Sequence, residues 1–484
     1  MAGNNGFDQK PNGFGPVKDS NKKKKNFRKW LIIEAVILCI VVAGYAYLVL
    51  PGNNQGKGNK GGQADGGNNT ESVSNTPTVT PTLTPEDQQQ QSLEEEQKAQ
   101  EKKIQELVAK ADRLALGYDY DGAVKLVKSF GDNYTDYEPL TKAIAGYEET
   151  KKSLKPLGAY DSIDKINHIF FHILVADTDK AFDGDYEANG YNYYMTTIDE
   201  FKAMIQRMYE QGYVIVSIHD VAKKVKGEDG KTKYAAGNIM LPPDKKPFVI
   251  SQDDVCYYEY MTEDGFASRI IIGENGRPTT EMLMDDGTVS VGDYDMVPIL
   301  DKFIEEHPDF SYKGAKGILA LTGYEGALGY RTNDPDSPTY DQDRESVKKV
   351  AEVMKQQGWE FASHGYGHRN MGKATTSFTK KDTDRWLKEV APLIGPTDIY
   401  IFPFGIDIET TMGHYNSDKF KYLKKVGFDY FCGVFKDPWI QVKDDYVRMT
   451  RRPLDGQAML QFPERLSDLF DVDKIVDKSR PALK

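Results

Sequence analysis

The sequence predicts a parallel α/β barrel over residues 160–475 of this 484-residue chain. Two observations lead to this prediction. From about Lys165 onward, short apolar and β-branched runs alternate with amphipathic stretches of about 10–16 residues, which is typical of strand–helix units in a parallel sheet. Seven or so units over about 300 residues suit a closed barrel better than an open sheet, and such barrels collect their chemistry at the carboxyl ends of the strands.

The predicted elements follow one another in regular order. The strands are "INHIFFHILV", "YVIVSI", "PFVISQDD", "GILALTG", "WEFASHG", "DIYIFPFG" and "FDYFCGVF". The helices are "TIDEFKAMIQRMYEQG", "DYDMVPILDKFIEEHP", "RESVKKVAEVMKQQG", "TKKDTDRWLKEVAPLIG", "DKFKYLKKVG" and, at the end of the barrel, "RLSDLFDVDKIVDK".

The N-terminal segment predicts a membrane anchor. Residues 1–30 end in the basic "NKKKKNFRKW" and precede the mostly apolar residues 31–50, which at about 1.5 Å per residue span the roughly 30 Å core of a bilayer. Basic residues before the span place residues 1–30 in the cytoplasm and the rest of the chain outside a cell membrane. A cleaved signal peptide ending near Gly44 and Ala46 is the alternative. Residues 51–85, rich in Gly, Asn, Thr and Pro, predict a flexible linker.

Residues 86–155 predict a small helical region. One helix carries an apolar stripe, a second follows a Gly-Tyr-Asp-Tyr-Asp turn, and a third runs from Pro139 to Lys152. The pattern is similar to a single tetratricopeptide-type hairpin, which leaves a spacer, a packing module or a specific binding site open. The residues that mark the first stripe are Ile104, Leu107, Ala111 and Leu114.

Charge and cysteine content exclude several classes of protein. The net charge is −12 and no long basic stripe follows the N-terminus, so we expect no nucleic-acid partner. Cys39 lies in the apolar run, which leaves Cys256 and Cys432 for the folded part. Two cysteines provide neither a disulfide framework nor a Cys-x-x-Cys metal site. They either pair with each other or remain buried thiols.

Three predicted strands end in residues that suit a metal site. "PFVISQDD" ends in paired aspartates, "WEFASHG" in a histidine four residues before another, and "DIYIFPFG" in a tight turn. Histidines at i and i+4 face the same way in a helical segment, and neighbouring glycines allow a sharp turn. One carboxylate and two imidazoles suit Zn²⁺, with Co²⁺ or another transition metal as alternatives. The residues are Asp253, Asp254, His364, His368, Pro403, Phe404 and Gly405. Histidines that only cap a loop are the simpler alternative.

In this order, "SQDDV", "SHGYGH" and "FPFG" resemble the motifs of NodB-type polysaccharide deacetylases, carbohydrate esterase family 4. The resemblance covers roughly residues 165–475 and implies a distorted (β/α) barrel. It also implies that Asp254 binds a divalent metal together with both histidines, that Asp253 is the general base, and that the turn at Phe404 contacts substrate through a backbone N–H.

The sequence departs from this family in several places. Gln252 and Val255 replace an aromatic residue and a glycine beside the aspartate pair, and Ile401 stands where many members have an arginine. The last family motif, usually Leu-x-His, matches "YVRMTRRPLDGQAML", which contains no histidine. An arginine here, Arg451 or Arg452, could replace the missing arginine or bind developing charge, and we take Arg452 as the catalytic candidate.

Other residues have both a functional and a structural interpretation. His414 is a candidate substitute acid or a surface-loop histidine. His172 in the first strand could reach the mouth of the barrel or remain in the core. Tyr366 and Trp439 could stack on sugars, although core packing suits Trp439 better.

These features together predict a membrane-anchored, extracytoplasmic, metal-dependent deacetylase of an N-acetylglucosamine-type polymer. The substrate would be cell-wall peptidoglycan or an exported polysaccharide, and O-deacetylation is the less favoured reaction. A glycan-binding protein that has lost catalysis is one alternative, and a structural wall-associated protein is another.

Overall fold

A computed structural model describes residues 84–410 and 413–483. The predicted cytoplasmic tail (1–30), the predicted span (31–50) and residues 51–83 of the predicted linker lie outside the described residues. None of the helices in the described ranges has both the length and the apolar character that crossing a bilayer requires.

The described chain begins with three packed helices, as the apolar stripes predict. Thr84 caps the first helix through a reciprocal pair of hydrogen bonds with Asp87, which satisfies free N–H groups of the first turn. Asp119 caps the second helix by accepting from the backbone N–H of Gly122 at 3.1 Å. The helices are α1 (Pro85–Leu116), α2 (Tyr120–Lys128) and α3 (Glu138–Lys151).

The rest of the described chain alternates strands and helices. The strands are β1 (Lys155–Pro156), β2 (Asn167–Phe171), β3 (Tyr213–Ile215), β4 (Ala222–Lys226), β5 (Thr232–Ala236), β6 (Met240–Leu241), β7 (Lys246–Gln252), β8 (Arg269–Ile272), β9 (Pro278–Leu283), β10 (Val289–Gly292), β11 (Ile318–Leu321), β12 (Glu360–Ser363), β13 (Ile399–Ile401), β14 (Tyr430–Val434), β15 (Ile440–Val442) and β16 (Val447–Pro453). The helices are α4 (Thr178–Ala181), α5 (Ala188–Tyr194), α6 (Ile198–Glu210), α7 (Ile218–Val221), α8 (Met296–Glu306), α9 (Tyr340–Gln356), α10 (Thr376–Glu389), α11 (Ala391–Ile394), α12 (Asp418–Lys425) and α13 (Gly456–Gln461).

Seven parallel strands close into a barrel, which confirms the predicted architecture. The order around the ring is β7–β2–β16–β14–β13–β12–β11, and β11 returns to pair with β7. Strand β3 pairs parallel with the first residues of β7, on the same edge that β11 joins further along, and β15 pairs antiparallel with β16. Because all seven strands run the same way, their carboxyl ends form one rim.

Alternating strand residues divide the core into two layers. Residues such as Val249, Ala320 and Ile401 fill the barrel interior, while Ile250 and Leu319 pack outward in the layer of helices. The interior cluster continues through Tyr312, just before β11, into Ile104, Ala123 and Leu140 of α1–α3. The helical region therefore seals the amino end of the barrel, opposite the rim.

The sequence-based assignment was wrong at the end of the chain. The helix predicted for "RLSDLFDVDKIVDK" is instead two short 3₁₀ turns, Pro463–Leu466 and Val472–Lys474, and α13 lies just before them. Strand β16 was not predicted, because its sequence "VRMTRRP" reads as polar. All three of its arginines are nevertheless buried, and each is paired with an aspartate.

The two cysteines of the folded part are free thiols. Cys256 and Cys432 are both buried, and neither forms a disulfide with a described residue. Burial raises the pKa of both thiols to about 12, so both stay protonated and inert at neutral pH.

Candidate metal and catalytic site

The aspartate pair lies in the turn that follows β7. Asp253 donates its backbone N–H to the carbonyl of Phe171 in β2 at 2.8 Å, and the N–H of Val255 reaches Ala320 O in β11 at 3.2 Å. These bonds tie the turn to both neighbouring strands. Asp254 has a positive φ of 58°, a strained conformation for a residue with a side chain, and such strain concentrates at functional sites.

The two histidines lie in a loop rather than in the helical segment that the i, i+4 spacing suggested. His364 follows β12 directly, Gly365 has φ 66° and His368 has φ 47°. Asp382 in α10 holds the loop by accepting from the N–H groups of Tyr366 at 2.8 Å and Gly367 at 2.9 Å. The left-handed residues turn the chain back, so that the two imidazole centroids lie 5.0 Å apart.

Asp254, His364 and His368 bring one ligand atom each to a common point. These three atoms all lie within 4.8 Å of one another. The Nε2 atoms of His364 and His368 lie 3.9 Å and 3.7 Å from Asp254 Oδ1, too far for hydrogen bonds. Within the described part of the chain, this buried oxygen has no hydrogen-bond partner. An orphaned carboxylate oxygen that faces two imidazole nitrogens fits a divalent cation.

The surroundings keep His364 and Asp254 in the protonation states that a cation requires. His364 donates its Nδ1–H to the carbonyl of Ile401 at 2.9 Å, which leaves Nε2 as its ligand atom. Burial lowers the pKa of His364 to about 4, so its imidazole is neutral at pH 7. Burial works to raise the pKa of Asp254, but His368 and His364 outweigh it and the pKa is lowered.

Asp253 is held by a buried arginine. Arg451 of β16 reaches across the barrel and donates to Oδ1 of Asp253 at 2.7 Å and to Oδ2 at 2.9 Å. Burial works to raise the pKa of Asp253, but the Arg451 guanidinium outweighs it and the pKa is strongly lowered. The carboxylate is therefore ionised and fixed in orientation, with Oδ2 3.8 Å from His364 Nε2.

The structure corrects the expectation for Arg452. Its guanidinium points out of the barrel, where it donates to Asp468 at 2.8 Å and contacts Asn167 at 2.5 Å. Adjacent residues of a strand face opposite sides of the sheet, so only one of the two arginines can enter the barrel. That arginine is Arg451.

The Pro-Phe-Gly turn closes the rim beside the histidines. Phe404 has φ 59° and its ring lies 4.5 Å from the ring of His368, with 48% of the residue exposed. Gly405 has φ 66°, and a Cβ at this position would lie 2.3 Å from Cβ of Val434. Only glycine therefore fits here. Pro403 is buried beneath the turn.

His172 lies at the same rim, and the sequence left its role open. It donates its Nδ1–H to the carbonyl of Tyr194 at 2.9 Å, which fixes the orientation of the ring. The imidazole is close enough to lower the pKa of Asp253, Asp254 and Asp455. Burial outweighs this influence at Asp455 and raises its pKa to about 6. No motif in the sequence had indicated Asp455.

The remaining candidates contribute no group to the cluster. Tyr366 is only 4% exposed, and its ring is covered by the guanidinium of Arg385 at 3.9 Å, so it cannot stack on a sugar. Trp439 is partly buried near Arg448. His414 is exposed in the loop that follows the Pro-Phe-Gly turn.

The chain is thus a parallel (β/α) barrel with a histidine–carboxylate cluster at its carboxyl rim. It is similar in structure to the Streptococcus pyogenes deacetylase PplD in complex with acetate, at 14% sequence identity and a TM-score of 0.34 over 63% of this chain and 97% of that one. It is also similar to a Mycobacterium smegmatis protein assigned as a polysaccharide deacetylase, at 19% identity and a TM-score of 0.21 over 33% of this chain and 45% of that one. No family model and no curated protein matches the sequence.

Proposed function

We propose that this chain is a metal-dependent deacetylase that hydrolyses N-acetyl groups of an extracytoplasmic polysaccharide. One observation carries the proposal. At a single rim, the orphaned Oδ1 of Asp254 faces the Nε2 atoms of two histidines, beside an aspartate that a buried arginine clamps. A cation site next to an ionised, fixed carboxylate is the equipment that amide hydrolysis by water requires.

Asp254, His364 and His368 would hold the ion. A bound Zn²⁺ or similar cation supplies Lewis acidity for the acetyl carbonyl and lowers the pKa of water. The protein's contribution is to present two imidazoles and one carboxylate with fixed orientation. The hydrogen bond from His364 Nδ1 to Ile401 O sets that orientation for the first imidazole.

Asp253 would act as the general base. Arg451 occupies both of its oxygens from one side, and Oδ2 also faces the histidine cluster. This carboxylate takes a proton from the water whose oxygen adds to the acetyl carbon. Main-chain N–H groups at the Phe404 turn lie at the same rim and would stabilise the oxyanion that forms. Arg451 acts as a positioning residue for Asp253.

His172 would supply the proton that the leaving nitrogen needs. As the C–N bond breaks, the nitrogen takes a proton, acetate departs and the sugar keeps a free amine. The Nδ1–H of His172 is fixed by Tyr194 O, so its Nε2 carries the transferable proton. The carboxyl group of Asp455 lies close enough to His172 for the two groups to interact. His172 would thus replace, as the general acid, the histidine that is missing from the C-terminal motif.

Substrate class and location rest on the sequence. The motif resemblance favours N-acetylglucosamine-type polymers, either peptidoglycan or an exported polysaccharide. The predicted anchor at residues 31–50 would hold the N-terminus in the cytoplasm and the barrel outside the cell membrane.

Acetate release by the full chain tests the proposal. The substrates are N-acetylglucosamine oligomers and purified peptidoglycan, with added Zn²⁺ or Co²⁺ and with a chelator. We expect metal-dependent release that falls by at least about 100-fold in Asp253→Asn. Metal content by elemental analysis is the second readout, because Asp253→Asn should still bind metal whereas His364→Ala should not.

The histidine missing from the C-terminal motif favours a second candidate, a glycan-binding protein without catalysis. Metal binding and oligomer binding with no acetate from any of these glycans would establish it and refute the deacetylase.

A further inference from the structure

A group of tyrosines lies beside the aspartate turn, outside the machinery described so far. Tyr258 and Tyr260 follow that turn, and Tyr324 follows β11, the strand that pairs with β7. The rings of Tyr258 and Tyr260 are stacked, with centroids 5.5 Å apart and planes at 20°. Tyr258 also packs on Tyr324 at 5.6 Å. We call these three residues the tyrosine platform.

The platform is fixed in place rather than flexible. The backbone N–H of Glu259 donates to Glu325 Oε2 at 3.2 Å, which joins the two loops. The N–H of Tyr324 donates to Tyr366 O at 3.1 Å, and Asn333 Nδ2 donates to Tyr324 O at 2.7 Å. A rigid aromatic surface binds a ligand with little loss of side-chain entropy.

The platform also adjoins the proposed metal ligands. Tyr258 follows Asp254 by four residues. The backbone bond from Tyr324 reaches Tyr366, which lies between the two histidines of the cluster. Tyr258 itself is buried, whereas Tyr324 is 37% exposed although its ring is large and partly apolar. A buried ring thus supports an exposed one at the edge of the site.

We propose that the tyrosine platform, with Tyr324 as its exposed contact, binds the pyranose ring next to the N-acetylated sugar and so selects a polymer over a monosaccharide. This inference rests on the proposed function, because the class of ligand follows from it. Aromatic faces match the apolar C–H face of a sugar ring, and the platform follows the turn that carries Asp254, so the sugar it would hold is a neighbour of the one that reacts. The sequence analysis gave the role of stacking on a sugar to Tyr366, but Tyr366 is buried. Tyr324 lies next to it, joined by a backbone hydrogen bond.

The test compares a tetramer of N-acetylglucosamine with the monosaccharide, using the full chain. We expect Tyr324→Ala to lower kcat/KM for the tetramer by about three- to tenfold, mainly through KM, and to leave monosaccharide turnover and metal content unchanged. Tyr324→Phe keeps the ring and should behave as wild type. Tyr134→Ala, in the helical region at the opposite end of the barrel, is the aromatic control and should also behave as wild type. Tyr260→Ala is a second variant of the platform and should show a smaller loss with the tetramer alone.

Tetramer binding, measured by calorimetry in the Asp253→Asn background, separates the two proposals. Absence of acetate release from every glycan refutes the deacetylase but leaves this measurement intact. Equal tetramer affinity with and without Tyr324→Ala overturns the platform, and so does an equal loss of turnover with tetramer and monosaccharide.

Discussion

The two ends of β12 place the same residue types in opposite settings. At its amino end, His219 lies between Glu360 and Asp398, with Nδ1 2.5 Å from one carboxylate and Nε2 2.9 Å from the other. At its carboxyl end, His364 Nε2 lies 3.8 Å from Asp253 and 3.9 Å from Asp254. His219 forms hydrogen bonds with both of its carboxylate neighbours. His364 forms none with Asp254, whose Oδ1 has no hydrogen-bond partner among the described residues.

The pKa values of the two histidines follow this difference. Burial works to lower the pKa of His219, but its hydrogen bonds to Asp398 and Glu360 outweigh burial and raise the value to about 10. Burial prevails at His364 and lowers its pKa to about 4. One histidine is therefore a cation at neutral pH and completes an ion-pair network. The other is neutral, as a metal ligand would have to be. A cluster of histidine and carboxylates thus indicates a metal site only where the polar groups converge without satisfying one another.

The largest expected difference between the two ends of β12 is in metal binding. His364→Ala removes one of the three proposed ligands, so we expect stoichiometric metal to be lost and acetate release to fall by at least about 100-fold. His219→Ala removes a histidine with two carboxylate neighbours and should leave metal content as in wild type. Elemental analysis of both purified variants is the measurement. Metal retained by His364→Ala, or lost by His219→Ala, would contradict the distinction.

The two neighbouring arginines of β16 allow a similar comparison, between one that faces the site and one that faces away from it. Arg451→Met leaves Asp253 buried without its partner, so we expect a loss of about 3–5 kcal/mol in unfolding free energy. The lowered pKa of Asp253 means that this contribution is present above the unfolded value of about 3.9 and disappears as the pH falls. The difference between wild type and Arg451→Met in urea unfolding should therefore shrink in acid.

Arg452→Met is the matched control for that variant. Its partner Asp468 has a half-exposed side chain, so we expect a smaller stability loss, about 1–2 kcal/mol. Turnover per folded molecule should fall only in Arg451→Met. Equal turnover in the two variants would remove Arg451 from the site.

Much of the site could be predicted from the sequence, because strand-end residues of parallel strands meet at one rim. The pairing of Asp253 with Arg451 could not. The segment "VRMTRRP" was not recognised as a strand, so the sequence could not show which of the two adjacent arginines faces into the barrel. A register shift of one residue would exchange their sides. The tyrosine platform was missed for a related reason. Tyr258 and Tyr324 meet through loops whose paths depend on contacts distant in sequence.

The rim should also be sensitive to one added methyl group. In Gly405→Ala the new Cβ would lie 2.3 Å from Cβ of Val434 at a φ of 66°, so the Phe404 turn must move. We expect about 1–3 kcal/mol of destabilisation and a lower kcat with metal content unchanged. Adding Val434→Ala should restore part of both losses, because it removes the clash but not the unfavourable φ. A double variant no better than Gly405→Ala would show that the clash is not the cause.

We expect the smallest loss of stability from removing His219 at the amino end of β12. The pH dependence of that loss tests whether His219 is charged. His219→Gln removes an imidazolium whose folded pKa, about 10, exceeds the unfolded value of about 6.5. Its contribution is therefore fully present below about pH 6.5 and is lost as the pH rises toward 10. Because the side chain is 39% exposed, we expect about 1 kcal/mol at pH 6. Urea unfolding of both proteins at pH 6 and pH 9.5 checks this. A stability difference that grows with pH would mean that His219 is neutral in the folded state, and the contrast between the two ends of β12 would then rest on hydrogen bonding without charge.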